Sequence, residues 1–286
     1  MFKLVWEPIL KISALMMVIV ACEDSFSPSK PKPVPGPYPI ETEISLCPDR
    51  QYIYFVVTDT VTAGNNGIYR ARISKPEREP ILMGDSLHSP VISFNNQLLA
   101  FLKFGKIRYF RLPDQVEFSS TVMDSFNSII FINDSLIVAC RDTALYFVNE
   151  SNSTSTYYGR GWDPTLSDRD NFIYFGGTRA AYRILEGNVN DDFATLREII
   201  VTDAHPHWPT IIEDESKYVY GIEWVEQKFI YSLISGQKFT FIDSSKHSKP
   251  YLVNSNLILF TGPDGRIYSS DFEGTLSVPF IPEAEG

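Results

Sequence analysis

Cysteine is scarce in this chain, with Cys22, Cys47 and Cys140 the only three in 286 residues, and histidine is hardly more common, with four. So few thiols exclude a small domain stapled by disulfides. Cys47 and Cys140 fall in strand patterns of different repeats, so buried free thiols are expected of both rather than a bridge. Basic runs are absent beyond the first residues: 25 Lys and Arg stand against 35 Asp and Glu, a formal charge of −10. Nucleic acid is thereby excluded as a partner, because its affinity rests on phosphates neutralised by Lys and Arg. There is no Gly-x-Ser-x-Gly elbow of a serine hydrolase and no Gly-rich loop to cradle a phosphate. No apolar run reaches the roughly 20 residues of a spanning helix.

At the N-terminus, Lys3 and Lys11 lead into an apolar run from Ile12 to Ala21, the length of a signal-peptide apolar region. It ends in Ile19-Val20-Ala21-Cys22, which resembles the signal of bacterial lipoproteins. The resemblance implies that residues 1–21 are a signal peptide and that Cys22 receives lipid. Acyl chains contribute about 0.8 kcal/mol per buried CH₂, so a multiply acylated Cys22 would hold the chain at a membrane without any spanning helix. Glu23-Asp24 looks like the acidic export signal of surface lipoproteins in Bacteroidetes-type bacteria. Residues 22–43 follow as a linker whose Ser25 to Pro39 stretch, SFSPSKPKPVPGPYP, is an extended proline-rich spacer.

From residue 44 to 286 one design recurs. Six apolar segments beginning at residues 52, 98, 136, 172, 218 and 257 are separated by 46, 38, 36, 46 and 39 residues, near the ~40-residue period of a four-stranded propeller blade. Their near-continuous apolarity suits a strand covered on both faces. Each is followed by a strand with an apolar-Tyr signature: Ile68-Tyr69, Ile107 with Tyr109, Leu145-Tyr146, Tyr182 with Ile184, Ile230-Tyr231 and Ile267-Tyr268. Each is preceded by a short strand expected to begin at Pro48, Pro90, Ser128, Pro164, Pro209 or Pro250, since proline at a strand's first residue loses no ladder donor. The fold class expected is all-β, a six-bladed β-propeller of four-stranded antiparallel blades. Its ring would be closed either by side-chain packing or by a strand near Pro39-Ile40-Glu41.

Ser89-Pro90, the Leu99-Ala100-Phe101 triplet and Asp264-Gly265-Arg266-Ile267-Tyr268 resemble the repeats of the TolB-like six-bladed propellers. That resemblance implies a binding or scaffold domain of the bacterial envelope. With the N-terminal signal it implies a lipid-anchored protein of the outer membrane, periplasmic or surface-facing.

Two sets of residues are candidates for function. His88, His205, His207 and His247 all fall in stretches expected to connect blades at one face, where imidazoles from several blades could hold a divalent metal. Trp162, Trp208, Tyr157 and Tyr158 cluster around the fourth and fifth blades, and exposed aromatics of this kind stack on sugars or anchor a protein partner. The reading favoured is a monomeric, non-catalytic binding module without cofactor, whose partner is an envelope protein or glycan. The alternative is a metal-assisted, lyase-like carbohydrate-active enzyme using the histidine face.

Overall fold

The structure is a computed structural model and describes residues 39–282 except 60–61, 123–124, 150–153, 169–170, 179–180, 189–196, 203–205, 212–217, 226–227, 234–237, 242–250, 255–256, 263 and 271–276. Cys22, the expected signal peptide and nearly all of the expected spacer lie outside the described residues. Among those residues no helix is long and apolar enough to cross a membrane.

The fold is all-β. Six four-stranded antiparallel sheets follow one another along the chain, each cut from one contiguous stretch. They are β1 to β4 (Ile40–Leu46, Tyr52–Thr58, Gly67–Arg72, Lys75–Met83), β5 to β8 (Leu87–Ile92, Leu98–Lys103, Lys106–Arg111, Val116–Ser119) and β9 to β12 (Ser128–Phe131, Leu136–Arg141, Ala144–Asn149, Thr154–Arg160). Then come β13 to β16 (Trp162–Asp168, Asn171–Thr178, Ala181–Asn188, Arg197–Thr202), β17 to β20 (Pro206–Ile211, Tyr218–Val225, Lys228–Leu233, Lys238–Phe241) and β21 to β24 (Tyr251–Asn254, Leu257–Thr261, Ile267–Ser270, Ser277–Pro279).

The first strand of each sheet packs against the first strand of the next, from β1 through β5, β9, β13 and β17 to β21, and β1 also packs on β21 and β22. This is a β-propeller in which the first strands are innermost. Meanders need only short turns, and the apolar second strands lie in the middle of each sheet, covered on both faces by neighbours. Side chains interleave between successive sheets. Ile68, Leu99 and Phe101 fill the gap between the first and second sheets. Tyr109, Phe126 and Ile137 fill the next, and Tyr158, Phe172 and Tyr174 the one after. Burying a ring such as Phe55 or Phe101 contributes about 1.5–3 kcal/mol. Cys47 and Cys140 are free, buried thiols in these layers.

Glycine is required where the third sheet meets the fourth. A Cβ on Gly161 would stand 2.4 Å from Cδ2 of Tyr174 and 2.9 Å from Cδ1 of Leu145, closer than carbon atoms approach.

Two expectations about strand starts are corrected. Pro48 does not open a strand: it lies in the turn after β1, whose first residue is Ile40, four positions before the expected domain start. Nor do Pro90, Pro164 and Pro209 stand first in their strands, since they lie inside β5, β13 and β17; Ser128 does open β9, and Pro250 lies outside the described residues. The reason is a β-bulge. In β1, β5, β13 and β17 the ladder skips two residues opposite one: Glu43-Ile44, Ser89-Pro90, Asp163-Pro164 and Trp208-Pro209. A bulged residue has no ladder bond to lose, so proline fits there as well as it does at a strand's end. In the first sheet Ile44 takes the proline's place, which hides β1 from a search for prolines.

The first and last sheets meet without exchanging a strand. Ser277–Pro279 supplies the last sheet's own fourth strand, and Ile40–Leu46 belongs wholly to the first sheet. Phe55, Val57 and Ile44 pack on Val253, Leu259 and Ile267. Polar bonds add to this layer: the Glu41 N–H donates to the Gly265 carbonyl, Thr261 Oγ1 donates to the Glu41 carbonyl at 2.9 Å, and Arg50 reaches the Val253 carbonyl at 3.2 Å.

Candidate functional site

The four bulges lie in the same register, so they place equivalent residues at one axial end of the ring. Thr42, His88, Trp162 and His207 pair with Val56, Leu102, Phe175 and Gly221, and each is the last paired residue before its bulge. Glu43, Ser89, Asp163 and Trp208 come next as the first bulged residues. Glu43, Ser89 and Asp163 have φ of 53°, 48° and 49°. Left-handed backbone in a residue other than glycine costs on the order of 1–3 kcal/mol, and such strain concentrates where a bulge re-aims a side chain for function.

Glu43 shows what that backbone achieves. Its carboxylate crosses from the first sheet to the second, where Oε1 lies 2.8 Å from His88 Nδ1 and Oε2 accepts the Ser89 N–H. One bulge therefore grips the neighbouring one. His88 remains 55% exposed, so this contact is open to solvent on its outer side. Further round the ring, desolvation holds the Tyr251 phenol above its ordinary range, and the negative charges of Glu43 and Asp163 add to the shift. The Tyr251 phenol of the sixth sheet thus lies within electrostatic reach of carboxylates from the first and fourth sheets.

Four of the residues singled out in the sequence have their backbone at this end. His88 and His207 hold the same register position in the second and fifth sheets, Trp162 holds it in the fourth, and Trp208 is one residue further on in β17. The two histidines lie in innermost strands rather than in connectors. His205 and His247 lie outside the described residues. Among the described residues no group of three His, Cys, Asp or Glu side chains is placed to hold a metal. The tyrosines separate: Tyr157 on β12 is 54% exposed, stacked edge-on against Tyr146, whereas Tyr158 is only 3% exposed, packed among Phe147, Phe172 and Tyr174. Trp162 is half-buried against that same aromatic layer.

The turns joining second to third strands rise at the same end. In the second sheet Leu87 pairs with Lys103 and Lys103 with Lys106, which leaves Phe104-Gly105 as a two-residue turn beside His88. Both turn residues are left-handed, with φ of 54° and 73°. Such turns favour Asn-Gly or Asp-Gly. Gly105 meets that demand, and its carbonyl accepts the Phe126 N–H at 2.7 Å. Phe104 does not, and its ring is 75% exposed. Sequence reasoning passed over Glu43, Asp163 and Phe104. The signal for the first two was the residue preceding each proline, or preceding Ile44. Phe104 was masked because an aromatic continues the strand pattern of Leu98 to Phe101.

No family model matches the chain, and no curated protein matches it in sequence. Solved structures do. TolB from Acinetobacter baumannii superposes with a TM-score of 0.53 at 16% identity over 68% of this chain and 51% of its own, so the chain spans about half the length of that protein. A putative TolB from Agrobacterium tumefaciens gives 0.56 at 12% identity over 71% of this chain and 84% of its own. An uncharacterised protein from Listeria monocytogenes gives 0.54 at 9% identity over 87% and 83%. The chain has the fold of a TolB-like propeller. At these identities the likeness establishes architecture and nothing further.

Proposed function

We propose that this chain is a non-catalytic binding or scaffold module of the bacterial envelope, its six sheets acting as the blades of one closed ring. Lipid on Cys22 tethers it to the outer membrane across the spacer of residues 22–43, and the bulged axial end takes a protein partner. The observation that carries this reading is the in-register set of four bulges, three of them in left-handed backbone, which turn Glu43, Ser89 and Asp163 round one end of a rigid scaffold. Strain repeated at one place in three sheets supports a recognition surface at that end. The TolB-like fold supports the envelope setting.

The test is affinity isolation of the full chain from detergent-solubilised envelopes, comparing the native sequence with Glu43→Ala and Asp163→Ala. A stoichiometric partner retained by the native chain and lost from both variants is the expected result. A chain that instead returns with about one Zn, Mn or Fe, and cleaves acidic oligosaccharides, would overturn it. Replacing Cys22 by Ala tests the tether separately: the chain should move from the membrane to the soluble fraction.

A further inference from the structure

We propose that the Phe104 turn is the hydrophobic anchor of this axial end, and that it seats in an apolar pocket rimmed by carboxylates on a protein partner. The inference deepens the binding-module reading and rests on it. Phe104 is unfavourable twice over within the fold. Its backbone is left-handed, where a bulky residue is a genuine outlier, and its ring is 75% exposed, the most exposed of the large apolar side chains described. The homologous turn of the third sheet shows what folding alone asks for. There Arg141 pairs with Ala144, and the first turn residue is Asp142, with φ 56° and an exposed side chain of the type such backbone tolerates. An aromatic in the corresponding place of the second sheet gains nothing from the ring itself.

The chemistry of the partner follows from the flanks. Lys103 and Lys106 face each other across the base of the turn, directly beneath Phe104. An aromatic between two cations fits an apolar pocket with acidic edges, since buried aromatic anchors dominate binding energy while rim charges steer encounter and orientation. An anionic bilayer would meet the same ring and the same two lysines. It would also meet Asp59, Asp85 and Asp142, which stand at this end in the neighbouring sheets, on a chain of net charge −10. A small protein pocket can engage one turn and avoid those carboxylates, whereas a flat anionic surface cannot.

The experiment is photocrosslinking in the native cells with p-benzoylphenylalanine at position 104 of the full chain, and at position 157 for comparison. The crosslinked peptide is then mapped by mass spectrometry. Expected is an adduct at 104 whose partner segment combines apolar residues with Asp or Glu, and which falls about 30-fold when Lys103→Glu and Lys106→Glu are added. Phe104→Asn should lower partner affinity by a similar factor, the scale of an anchor residue, while its thermal unfolding shows the fold intact. Adducts to lipid, an adduct indifferent to the charge reversals, or no adduct at 104 overturns the inference. A partner captured at 157 or lost with Asp163→Ala, but untouched by Phe104→Asn, would leave the binding module standing and sink the anchor alone.

Discussion

The buried carboxylate of Glu41 accepts the backbone N–H of Ile267 at 2.8 Å, a bond between residues 226 positions apart in sequence. Its other oxygen takes Nε and Nη2 of Arg78 at 2.7 and 2.6 Å, with Glu41 1% and Arg78 33% exposed. The first and last sheets are thus pinned by a charge that has left water and is fully engaged where it went. A buried charge of this kind stabilises only while all its partners are present.

Glu41→Ala should lower unfolding free energy by about 3 kcal/mol, because it strands the Ile267 N–H and the Arg78 guanidinium together. Glu79→Gln, which breaks the exposed pair with Arg70, should cost under about 1 kcal/mol. Urea unfolding of the two variants beside the native chain checks the contrast. Equal effects would mean that Glu41 does not close the ring.

Phe104→Asn should stabilise the fold by about 1 kcal/mol, since asparagine accepts left-handed backbone and an exposed ring loses no packing. Thermal denaturation measures it. An unfolding temperature below that of the native chain would show that the ring supports the fold after all.

Gly161→Ala should destabilise by roughly 1–3 kcal/mol through overlap with Tyr174 and Leu145. Because the overlap is confined to the layer between the third and fourth sheets, near-ultraviolet circular dichroism should lose aromatic signal before the far-ultraviolet strand signal falls.

Desolvation pushes the Cys47 thiol from 9.0 to about 12 and the Tyr54 phenol from 10.0 to about 12. Above pH 9 the unfolded chain sheds these protons while the folded chain keeps them. The unfolded state then binds fewer protons, so stability falls as pH rises. Stability should therefore be complete below pH 9 and decline from there towards pH 12. Urea midpoints at pH 8, 9.5 and 10.5 test the direction, and Cys47→Val should make the decline shallower. Cys140, also raised to about 12 by burial, should likewise resist thiol reagents at neutral pH until the chain unfolds.

Strands flanked on both sides were the legible ones. Leu98 to Leu102 and Leu136 to Cys140 advertise themselves as apolar runs, and Ile68-Tyr69 or Leu145-Tyr146 mark the strands beside them, because burial on two faces leaves no room for polar residues. The innermost strand of the first sheet was hidden, since Ile44 replaces the proline found in β5, β13 and β17. Bulges were hidden as well: one extra residue shifts the ladder but leaves composition unchanged, so only their places before Ile44 and Pro164 marked Glu43 and Asp163. Four of the candidate residues, His88, Trp162, His207 and Trp208, fall at or next to one register position because the repeats place them there. Tyr158 illustrates the limit of that reasoning. Its neighbour Tyr157 is the same residue type, and only the alternation of β12, broken by a bulge at Leu145/Tyr146, sends one ring to solvent and the other into the core.

Among the described residues no strand is shared between the first sheet and the last, so Ile40–Leu46 and Ser277–Pro279 do not take part in any single sheet together. The chain could be cut at a different connector, for example within Gly84-Asp85-Ser86, and rejoined elsewhere with all six hydrogen-bonded ladders preserved. Strand pairing is consequently local in sequence, each sheet forming from its own segment. Bringing the first and last sheets together is then the step of folding that spans the greatest separation along the chain.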